Sequence, residues 1–480
     1  MPRPAGCAGA SPITLASGRL ASPTALQAAA HNLYETVTAM KNMFEWSVKA
    51  DQAGMIAPNE RLPWPQTLIM GLQHVFAMFG ATMLAPMLMG FDPNVAVLMS
   101  GVGTLIFFII TRGKVPSYLG SSFAFVGVVA AVTGYAGTGP NPQIEVALGG
   151  IIICGLVYVL VGLLVQAIGY AWIEKLTPPV VTGTVVAVIG LNLAAIPVKT
   201  MASNSFEVWV QLITFTCVVC IAVFTKGLLQ RMLLLTGLLA ATLIYFVLTN
   251  GLGLGTPIDF SKVQEAAWFG LPTFHTPVFT ASAAMLIAPV VIILLAENIG
   301  HLKAISSISK QSMEPHFGRA FIGDGVATMV SAGVGGTGVT TYAENIGVMA
   351  ATKVYSTALF VVAGFVAILL GLSPKFGALV HSIPTPVMGG VSIVVFGLIA
   401  VAGTKIWVEN KVDFSDNRNL LIAAVPLVLG TGDFTLHFGS FALNGLGSAT
   451  FAALILNLLL NLKRRPAVVA EDNALPSSAK

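Results

Sequence analysis

Charged residues are scarce in this chain. Asp, Glu, Lys and Arg make up only 9% of its 480 residues, whereas hydrophobic residues make up 55%. A soluble domain usually carries about 25% charged residues, which it needs to cover a surface that faces water. The shortage excludes a large soluble protein and indicates that lipid is the main solvent. A net charge of +4 gives no reason to expect a nucleic-acid partner.

Cysteine is rare as well, with four residues of which three lie in apolar runs. Cys217 and Cys220 have the spacing of a redox motif, but they lack the soluble βαβ unit that such a motif needs. We interpret them as two small residues one helical turn apart in a membrane span. We therefore expect no structural disulfide and no metal site.

Apolar runs are abundant from residue 66 onward, and a membrane span needs about 20 residues. We predict fourteen spans, at 66–89, 94–111, 117–134, 146–168, 178–196, 207–225, 231–250, 279–300, 318–332, 338–352, 356–373, 385–403, 419–431 and 439–462. The third and tenth are rich in Gly, Ser and Thr, so we do not expect a continuous helix in either.

The first 60 residues differ from the rest. Ala, Ser and Pro dominate their beginning, and they lack the apolar core of a secretory signal. We predict a disordered cytoplasmic tail over 1–60 and a second disordered tail over 466–480. Met43 is a plausible true start, which the N-terminal peptide of the mature protein would settle by mass spectrometry.

The distribution of cations orients the chain. With both termini in the cytoplasm, fifteen Lys and Arg fall on the cytoplasmic side of the predicted spans and three fall outside. The cytoplasmic set is Arg112, Lys114, Lys175, Lys226, Arg231, Lys303, Lys310, Arg319, Lys353, Lys405, Lys411, Arg418, Lys463, Arg464 and Arg465, and the external set is Lys199, Lys262 and Lys375. This bias follows the positive-inside rule and predicts an even number of spans in an inner or plasma membrane.

The two halves of the chain contain an internal repeat. Residues 179–183 resemble residues 386–390, 207 positions later, and residues 121–124 resemble residues 340–343. The fifth span is therefore equivalent to the twelfth, and the third to the tenth. Seven is an odd number of spans, so the two repeats must insert in opposite orientations. Inverted repeats with broken elements near the midplane are typical of transporters.

Glu297 and His301 are the first of a few ionisable residues within the spans. A charge at the bilayer centre costs roughly 2.5–3.5 kcal/mol on insertion scales, so each is a functional candidate. Four positions apart on a helix, the two share one face, where a carboxylate and an imidazole can exchange a proton. The alternative is a pair at the cytoplasmic helix end, because Lys303 follows.

Glu344 follows the glycine-rich run 333–338, which permits an unwound backbone whose N–H groups can face a ligand. The alternative is a structural carboxylate bonded to nearby backbone. The same run matches a dinucleotide-binding fingerprint, which we reject because no soluble strand precedes it. His74, in the first span, is as well explained by structure as by function. Weaker candidates are Asp324, which can bond across spans or move protons, and Asp433, near an external helix end.

Four segments carry a resemblance to a known family. They are Gln73–Thr82, Tyr118–Phe125, Ala296–His301 and Glu344–Lys353, the last a full match to the family signature of Gln/Glu/Pro, Asn, any residue, Gly, four of any kind, Thr and Arg/Lys/Gly. Over about residues 55–462 the chain resembles the nucleobase–ascorbate transporters, or nucleobase cation symporter-2 family. Two further segments, 56–63 and 371–379, are similar to bacterial uracil permeases, in particular the pyrimidine permeases of uracil-degradation operons.

The resemblance implies an all-α polytopic membrane protein with fourteen transmembrane segments in two inverted seven-span repeats and short strands in spans 3 and 10. It implies a core domain of spans 1–4 and 8–11, a gate domain of spans 5–7 and 12–14, and a homodimer formed through the gate domains. The corresponding ranges are 61–175 and 276–376 for the core, and 176–252 and 382–465 for the gate.

The resemblance also assigns roles to residues. Glu297 and Glu344 would hold the base, His301 would couple the site to protons together with Glu297, and Phe123 would lie against the base. The remaining residues would line or support the site: Ala343, where the best-known uracil permease has glycine, Tyr342, His74, Asn345, Ser122 and Thr341.

The function implied is proton-coupled uptake of uracil, with thymine or xanthine as possible further substrates and no cofactor besides the proton gradient. A purine permease of the same family is an alternative, although several purine members carry Gln where this chain has Glu344. An anion exchanger or channel of the same fold is another, although such a site should favour cationic groups. An enzyme would need a nucleophile–base pair or a metal cluster, and we find neither in the sequence.

Overall fold

The structure is a computed structural model, and it describes residues 43–49, 54–135, 139–200, 202–438 and 441–461. Most of the predicted N-terminal tail and the whole of the C-terminal tail lie outside the described residues. Within them the chain is mainly helical, and each of the fourteen predicted spans corresponds to a helix or to a strand followed by a helix.

The first seven spans form the first repeat. Their bounds are Trp64–Met89, Pro93–Ile110, the strand Leu119–Ser121 with the helix Ala124–Thr133, Ile144–Ile168, Pro179–Leu193 continued by Ala195–Thr200, Ser205–Phe224, and Leu233–Phe246 closed by the π-turn Val247–Gly251. Two short helices, Ala171–Leu176 and Leu228–Arg231, connect the fourth span to the fifth and the sixth to the seventh.

The second repeat follows the connecting helix Ser261–Glu265. Its spans are Ala281–Ile287 with Val290–Ser309, Phe317–Ala332, the strand Val339–Thr341 with the helix Ala343–Thr352, Thr357–Gly371, Thr385–Glu409, Asn417–Thr431 and Gly445–Asn461. The 3₁₀ turn Glu314–His316 precedes the ninth span, the helix Pro374–His381 follows the eleventh, and a hairpin of Leu436–Phe438 and Phe441–Leu443 precedes the fourteenth.

By length and composition, eight helices of the described ranges can cross a membrane. A ninth crossing arises if Thr357–Gly371 and Pro374–His381 count as one span, although they bend by 79° at their junction. The other spans are short or broken, as the glycine, serine and threonine content of the third and tenth predicts. In the third and tenth spans, the strand of one pairs with the strand of the other, which satisfies backbone groups that lipid would leave unpaired.

The packing of the spans follows the repeat. The fourth span packs on the ninth, and its equivalent, the eleventh, packs on the second. Likewise the fifth packs on the thirteenth, and the sixth packs on the twelfth. The fifth and twelfth, equivalent to each other, also pack together so tightly that a Cβ on Gly190 would lie 2.4 Å from the Phe396 carbonyl oxygen. Small residues allow such close approach between membrane helices.

Part of the segment that we predicted as a disordered tail is ordered. Ser47 and Val48 pair as a short parallel strand with Glu60 and Arg61. The indole N–H of Trp46 donates to the Thr357 hydroxyl at 2.9 Å, which joins this segment to the start of the eleventh span. The prediction of disorder up to residue 60 is therefore wrong at its end, because backbone pairing and one aromatic anchor hold a polar stretch that has no apolar run.

Four helices end on a cation in the left-handed backbone region. Arg112, Lys310, Lys353 and Lys411 have φ angles of 55°, 54°, 58° and 50°, and they follow the second, eighth, tenth and twelfth spans. Glycine is the usual residue in this conformation, as Gly90 is at the end of the first span, with φ of 70°. All four cations follow even-numbered spans.

Candidate functional site

The two repeats meet at a pair of short buried strands. Leu119–Ser121 of the third span runs antiparallel to Val339–Thr341 of the tenth. The pairing continues at both ends: the Ser122 N–H donates to the Gly338 carbonyl at 2.9 Å, and the Tyr342 N–H donates to the Tyr118 carbonyl at 3.1 Å. Each extended segment therefore satisfies the backbone of the other inside the membrane, where no water is available to do so.

A half-helix begins directly after each strand. In the third span Phe123 precedes the helix Ala124–Thr133, and in the tenth Tyr342 precedes the helix Ala343–Thr352. The first turn of a helix has backbone N–H groups without intrahelical partners and carries partial positive charge. The Ala343 side chain is exposed. The crossing strands thus place two helix N-termini, one from each repeat, beside the same region.

Glu297 of the eighth span and Glu344 of the tenth lie close enough for their charges to repel each other. Both side chains are only partly buried. Across the described ranges neither carboxylate has a hydrogen bond from another side chain, and Glu344 bonds only its own backbone N–H. The structure therefore brings together two carboxylates, from two spans of the second repeat, that are free to accept from a ligand.

His301 lies one helical turn beyond Glu297. Its Nδ1 is 2.8 Å from the Thr341 hydroxyl on the tenth-span strand. The helix that carries both residues continues to Ser309, so the pair is not at the end of the helix as the alternative interpretation required. Lys303 instead forms an ion pair with Glu174 in the linker after the fourth span. His301 is thus tied to the strand crossing.

Asp324 anchors a buried polar cluster beside Glu297. Its Oδ2 accepts from the Asn298 amide, and more weakly from the Tyr158 hydroxyl at 3.5 Å, while the Asn298 amide also donates to Tyr158 at 2.8 Å. Asp324 therefore bonds across spans, joining the ninth to the eighth and the fourth. Asn298 and Tyr158 were not singled out in the sequence, although an asparagine next to Glu297 in an apolar span was a signal.

His74 and Asn345 bond to each other. The Asn345 amide lies 3.0 Å from His74 Nδ1 and donates to the His74 carbonyl, also at 3.0 Å. The imidazole is fully buried and packs against the Phe360 ring, with centroids 4.7 Å apart and ring planes tilted by 54°. These contacts fix the first turn of the tenth-span helix against the first span, which favours the structural interpretation of His74.

Tyr342 closes the crossing from the side. Its hydroxyl donates to the Ser121 carbonyl at 2.8 Å and accepts from Thr82 at 3.2 Å. A Cβ on Gly120 would lie 2.4 Å from the tyrosine ring, so only glycine leaves room for the ring across the strand. Tyr342 therefore supports the strand pair from within the buried interior.

Phe123 and Ser122 occupy the corresponding turn of the third span. The Phe123 ring is partly exposed and packs edge-on against Phe396 of the twelfth span, with centroids 6.0 Å apart. The Ser122 hydroxyl accepts from the Ala124 N–H at 3.3 Å and so completes the first turn of the half-helix. Phe123 is thus the residue of this turn that contacts the fifth-to-seventh and twelfth-to-fourteenth set of spans.

The other candidates lie apart from the crossing. The Asp433 carboxylate accepts from the Gly445 N–H at 3.0 Å, between the thirteenth and fourteenth spans. Two cavities, of about 400 and 520 Å³, are lined by neither Glu297 nor Glu344. The first is an apolar groove beside the seventh span, and the second is polar and lies between the fourth and ninth. The candidate site is therefore identified by the contacts of its residues and not by a cavity.

Comparison with known proteins gives matches over most of the chain. The model of a permease family, Xan_ur_permease, matches residues 65–438. The pyrimidine permease RutG of Escherichia coli (strain K12) is 61% identical over 427 residues, which are 88% of this chain and 97% of that protein. The uracil permease of Bacillus caldolyticus is 42% identical over 82% of this chain and 92% of that protein.

Two solved structures share the fold at low identity. The transmembrane domain of the cyanobacterial bicarbonate transporter BicA has a TM-score of 0.59 and 15% identity, covering 81% of this chain and 97% of that chain. Murine Slc26a9, an anion transporter in the inward-facing state, has a TM-score of 0.64 and 11% identity, covering 94% of this chain and 77% of that one. The likeness shows the architecture of fourteen spans in two inverted repeats.

Proposed function

Because this chain belongs to the permease family whose model covers residues 65–438, we propose that it takes up uracil together with protons across the cytoplasmic membrane. The chain is a multi-pass transporter protein, and similar proteins are named as uracil or pyrimidine permeases. Thymine and xanthine are candidates for weaker substrates.

The observation that carries the proposal is the approach of Glu297 and Glu344 beside two helix N-termini. Uracil is neutral and shows both N–H donors and C=O acceptors on its edge. Carboxylates accept from the donors, and the free backbone N–H groups at Phe123 and Ala343 serve the carbonyls. Such a site rejects a base that lacks the matching donors, since the polar groups of the site would then stay unpaired.

The proton is proposed to bind at Glu297, with His301 as its partner. The two carboxylates repel each other, so binding one proton between them lowers the free energy of the loaded site. The protonation change at Glu297 would reach the strand crossing through His301, because His301 Nδ1 lies 2.8 Å from the Thr341 hydroxyl. Uracil and the proton then cross together if only the fully loaded site changes its accessibility readily.

We propose that spans 1–4 and 8–11 form a core domain that moves against a gate domain of spans 5–7 and 12–14. Close packing within each set supports this division, as in the second span against the eleventh and the fifth against the twelfth. The Phe123–Phe396 contact crosses from one set to the other beside the site. Movement at this boundary would expose the site to each side in turn.

Replacing Glu297 or Glu344 by Gln tests the site. Each variant should lower radiolabelled uracil uptake at least a hundredfold. The neutral amide is a weaker hydrogen-bond acceptor for the N–H groups of uracil than a carboxylate is, and it does not take up a proton near neutral pH. Uptake is measured in cells that lack their own uracil permease, with membrane abundance measured beside it. Glu409→Gln, at an exposed helix end, is the matched control and should transport normally. Normal uptake by both site variants would refute the assignment.

A protonophore tests the coupling separately. If uptake is proton-driven, collapsing the proton gradient should abolish accumulation of labelled uracil above its external concentration. Facilitated equilibration should survive the same treatment. Accumulation that persists without a gradient would contradict proton coupling while leaving the substrate assignment intact.

A panel of unlabelled bases distinguishes a pyrimidine permease from a purine permease. Uracil in excess should suppress labelled uptake fully, and xanthine or urate should suppress it weakly. Stronger competition by a purine than by uracil would favour the alternative. The fold is shared with anion transporters, but two adjacent carboxylates disfavour an anion at this site.

We also propose a homodimer formed through the gate domains, with both termini of each protomer in the cytoplasm. Apolar side chains of the sixth, twelfth and thirteenth spans are exposed, among them Val223, Val401 and Val428, which is compatible with lipid or a second copy. Native mass spectrometry of the protein released from mild detergent should show a mass twice that of the chain. A monomer at every detergent concentration would contradict the dimer.

A further inference from the structure

A polar cavity lies where the fourth span ends and the ninth begins, apart from the site described above. Its volume is about 520 Å³, and its polar lining comes from Gln166, Tyr170, Glu314, His316 and Arg319. The wall between the two spans is tight, because a Cβ on Gly318 would lie 2.5 Å from Cγ of Gln166. In the proposed orientation this cavity opens on the cytoplasmic side.

Two cations outside the lining act electrostatically on residues that line this cavity. Arg112 and Lys114 follow the second span, which packs on the ninth. The charge of Arg112 acts on Arg319, and those of Arg319 and Lys114 act on His316. Burial first, and these two cations next, lower the pKa of the His316 imidazole. One half-buried guanidinium thus sits among positive neighbours at the mouth of a cavity.

Within the described ranges, Arg112, Lys114 and Arg319 have no acidic partner. In the part of the chain that the structure describes, no carboxylate lies within ion-pair distance of Arg112, Lys114 or Arg319. Glu314 lines the cavity, but its carboxylate acts on the Tyr170 hydroxyl. Other cations on the same side do have partners, as Lys405 does in Glu409 at 3.4 Å. The positive-inside rule explains cations on this side, but it does not explain why the unpaired Arg319 lines a cavity within reach of the charges of two further unpaired cations.

The fold itself does not require this cluster. The start of the second span is the equivalent place in the first repeat, and it carries Asp92, Pro93 and Asn94. There the Asp92 carboxylate caps the helix by accepting from the Asn94 N–H at 2.8 Å. The same helix start is thus built elsewhere in the chain without a cation. The geometry of the helix start therefore does not require the cations near the ninth span, which lie on the opposite, cytoplasmic side in the proposed orientation.

We propose that this cavity binds a phosphate group, and that the group belongs to the headgroup of an anionic phospholipid in the cytoplasmic leaflet. Arg319 offers the planar fork that binds phosphate through two parallel hydrogen bonds, and Lys114 offers a mobile point charge. Basic cavities between membrane helices on the cytoplasmic side are suited to such headgroups. The Gln166 amide remains to donate to the glycerol oxygens.

The position of Tyr170 indicates how a bound headgroup would affect the stability of the protein. It begins the linker helix that leads to the fifth span, and its ring packs on Phe317 at 4.8 Å. A headgroup held by Arg319 and Gln166 beside Tyr170 would tie the start of the ninth span to the end of the fourth and this linker. Binding should therefore raise the thermal stability of the protein as well as leave a lipid adduct.

Native mass spectrometry of the purified full-length protein tests the proposal. The protein is titrated with 1-palmitoyl-2-oleoyl-phosphatidylglycerol, with the matching phosphatidylcholine, and with inorganic phosphate. We expect phosphatidylglycerol to bind more tightly than phosphatidylcholine. Lys114→Gln and Arg319→Gln should each weaken phosphatidylglycerol binding about fivefold, as about 1 kcal/mol of attraction per cation near a membrane surface implies.

Two further variants keep the proposal testable even if Arg319→Gln does not fold. Arg112→Asn keeps a residue that tolerates the left-handed backbone and should also weaken binding, whereas Lys411→Asn has the same backbone conformation away from the cavity and should not. Binding of inorganic phosphate with the same dependence on residues, without preference for phosphatidylglycerol, would support a phosphate site filled from solution. Equal lipid binding by the wild type, Lys114→Gln and Arg112→Asn would overturn the proposal.

Discussion

Thr341 connects three parts of the molecule through one side chain. Its backbone pairs with Leu119 in the strand crossing, and its hydroxyl is 2.8 Å from His301 Nδ1 and donates to the side-chain Oδ1 of Asn298 at 3.5 Å. A change of protonation at His301 must therefore alter a bond to the strand that precedes Glu344. No other residue in the described ranges bonds both to His301 and within the strand pair.

Thr341→Val should reduce uracil uptake by fivefold to a hundredfold. Valine keeps the branched shape in the strand but leaves His301 Nδ1 without its partner, which costs about 1–3 kcal/mol for a buried polar group. Thr341→Ser keeps the hydroxyl and should retain most of the uptake. The comparison is made at equal membrane abundance, and equal uptake by the valine and serine variants would show that the bond does not matter.

The sequence marks the ionisable residues of the site, because a charge in an apolar run is conspicuous and costly. It does not mark their partners. Tyr158, Asn298 and Thr82 are common residues in membrane helices, and only the folded chain shows that they bond to Asp324 or Tyr342. Those bonds join residues more than 20 positions apart, so no local pattern contains them.

At the scale of elements, the strand crossing depends on one glycine. Gly120 faces the Tyr342 ring at a distance that excludes any side chain, and that ring in turn holds Ser121. Two strands of three residues have little pairing energy of their own, so the ring and its bonds are needed to keep them in register. The strands in turn set where the half-helices begin.

Gly120→Ala should therefore destabilise the protein by about 1–3 kcal/mol, the usual cost of overpacking a core. The melting temperature of the tagged protein in detergent measures this, and uptake should fall with it. Gly127→Ala is the matched control, since its Cβ would meet only ordinary contacts at 3.5 Å or more in the same span. A melting temperature unchanged by Gly120→Ala would mean that the ring moves aside without cost.

The existence and order of the spans could be predicted from the sequence, whereas several bounds could not. The eighth span was predicted to end at residue 300, but its helix continues to Ser309. A hydropathy pattern ends at the first polar cluster, whereas backbone hydrogen bonds continue as long as the polar side chains find partners or solvent. The twelfth span, predicted to end at 403, extends to Glu409 for the same reason.

At the scale of the whole molecule, the inverted repeat explains why the candidate site lies where the two repeats meet. Equivalent elements from opposite repeats meet across the pseudo-twofold axis, as the third-span and tenth-span strands do. The repeat was visible in the sequence at the fifth and twelfth spans. The differences between the repeats were the stronger guide to function, since the first repeat has Phe123 and Ala124 where the second has Tyr342 and Ala343, followed there by Glu344.

Cysteine labelling tests the proposed orientation of the whole chain. In a variant without its four native cysteines, Lys262→Cys should react with a membrane-impermeant maleimide in intact cells, because the proposed orientation places the connection between the repeats outside. Lys411→Cys should react only after the membrane is opened. Labelling of both positions in intact cells would place both outside. The chain would then cross the membrane an even number of times between them, which contradicts the proposed orientation.

The four cations with left-handed backbone that follow the even-numbered spans show a conflict between relaxed backbone geometry, which favours glycine, and a positive charge at the helix end. Glycine would relieve the backbone at each of these positions, and the macrodipole of a helix welcomes a positive charge there. A chain selected only for relaxed geometry would have glycine at Arg112, Lys310, Lys353 and Lys411. Replacing all four by glycine should thus leave the melting temperature of the protein no lower. It should also increase the fraction of chains that insert with their termini on the external side of the membrane.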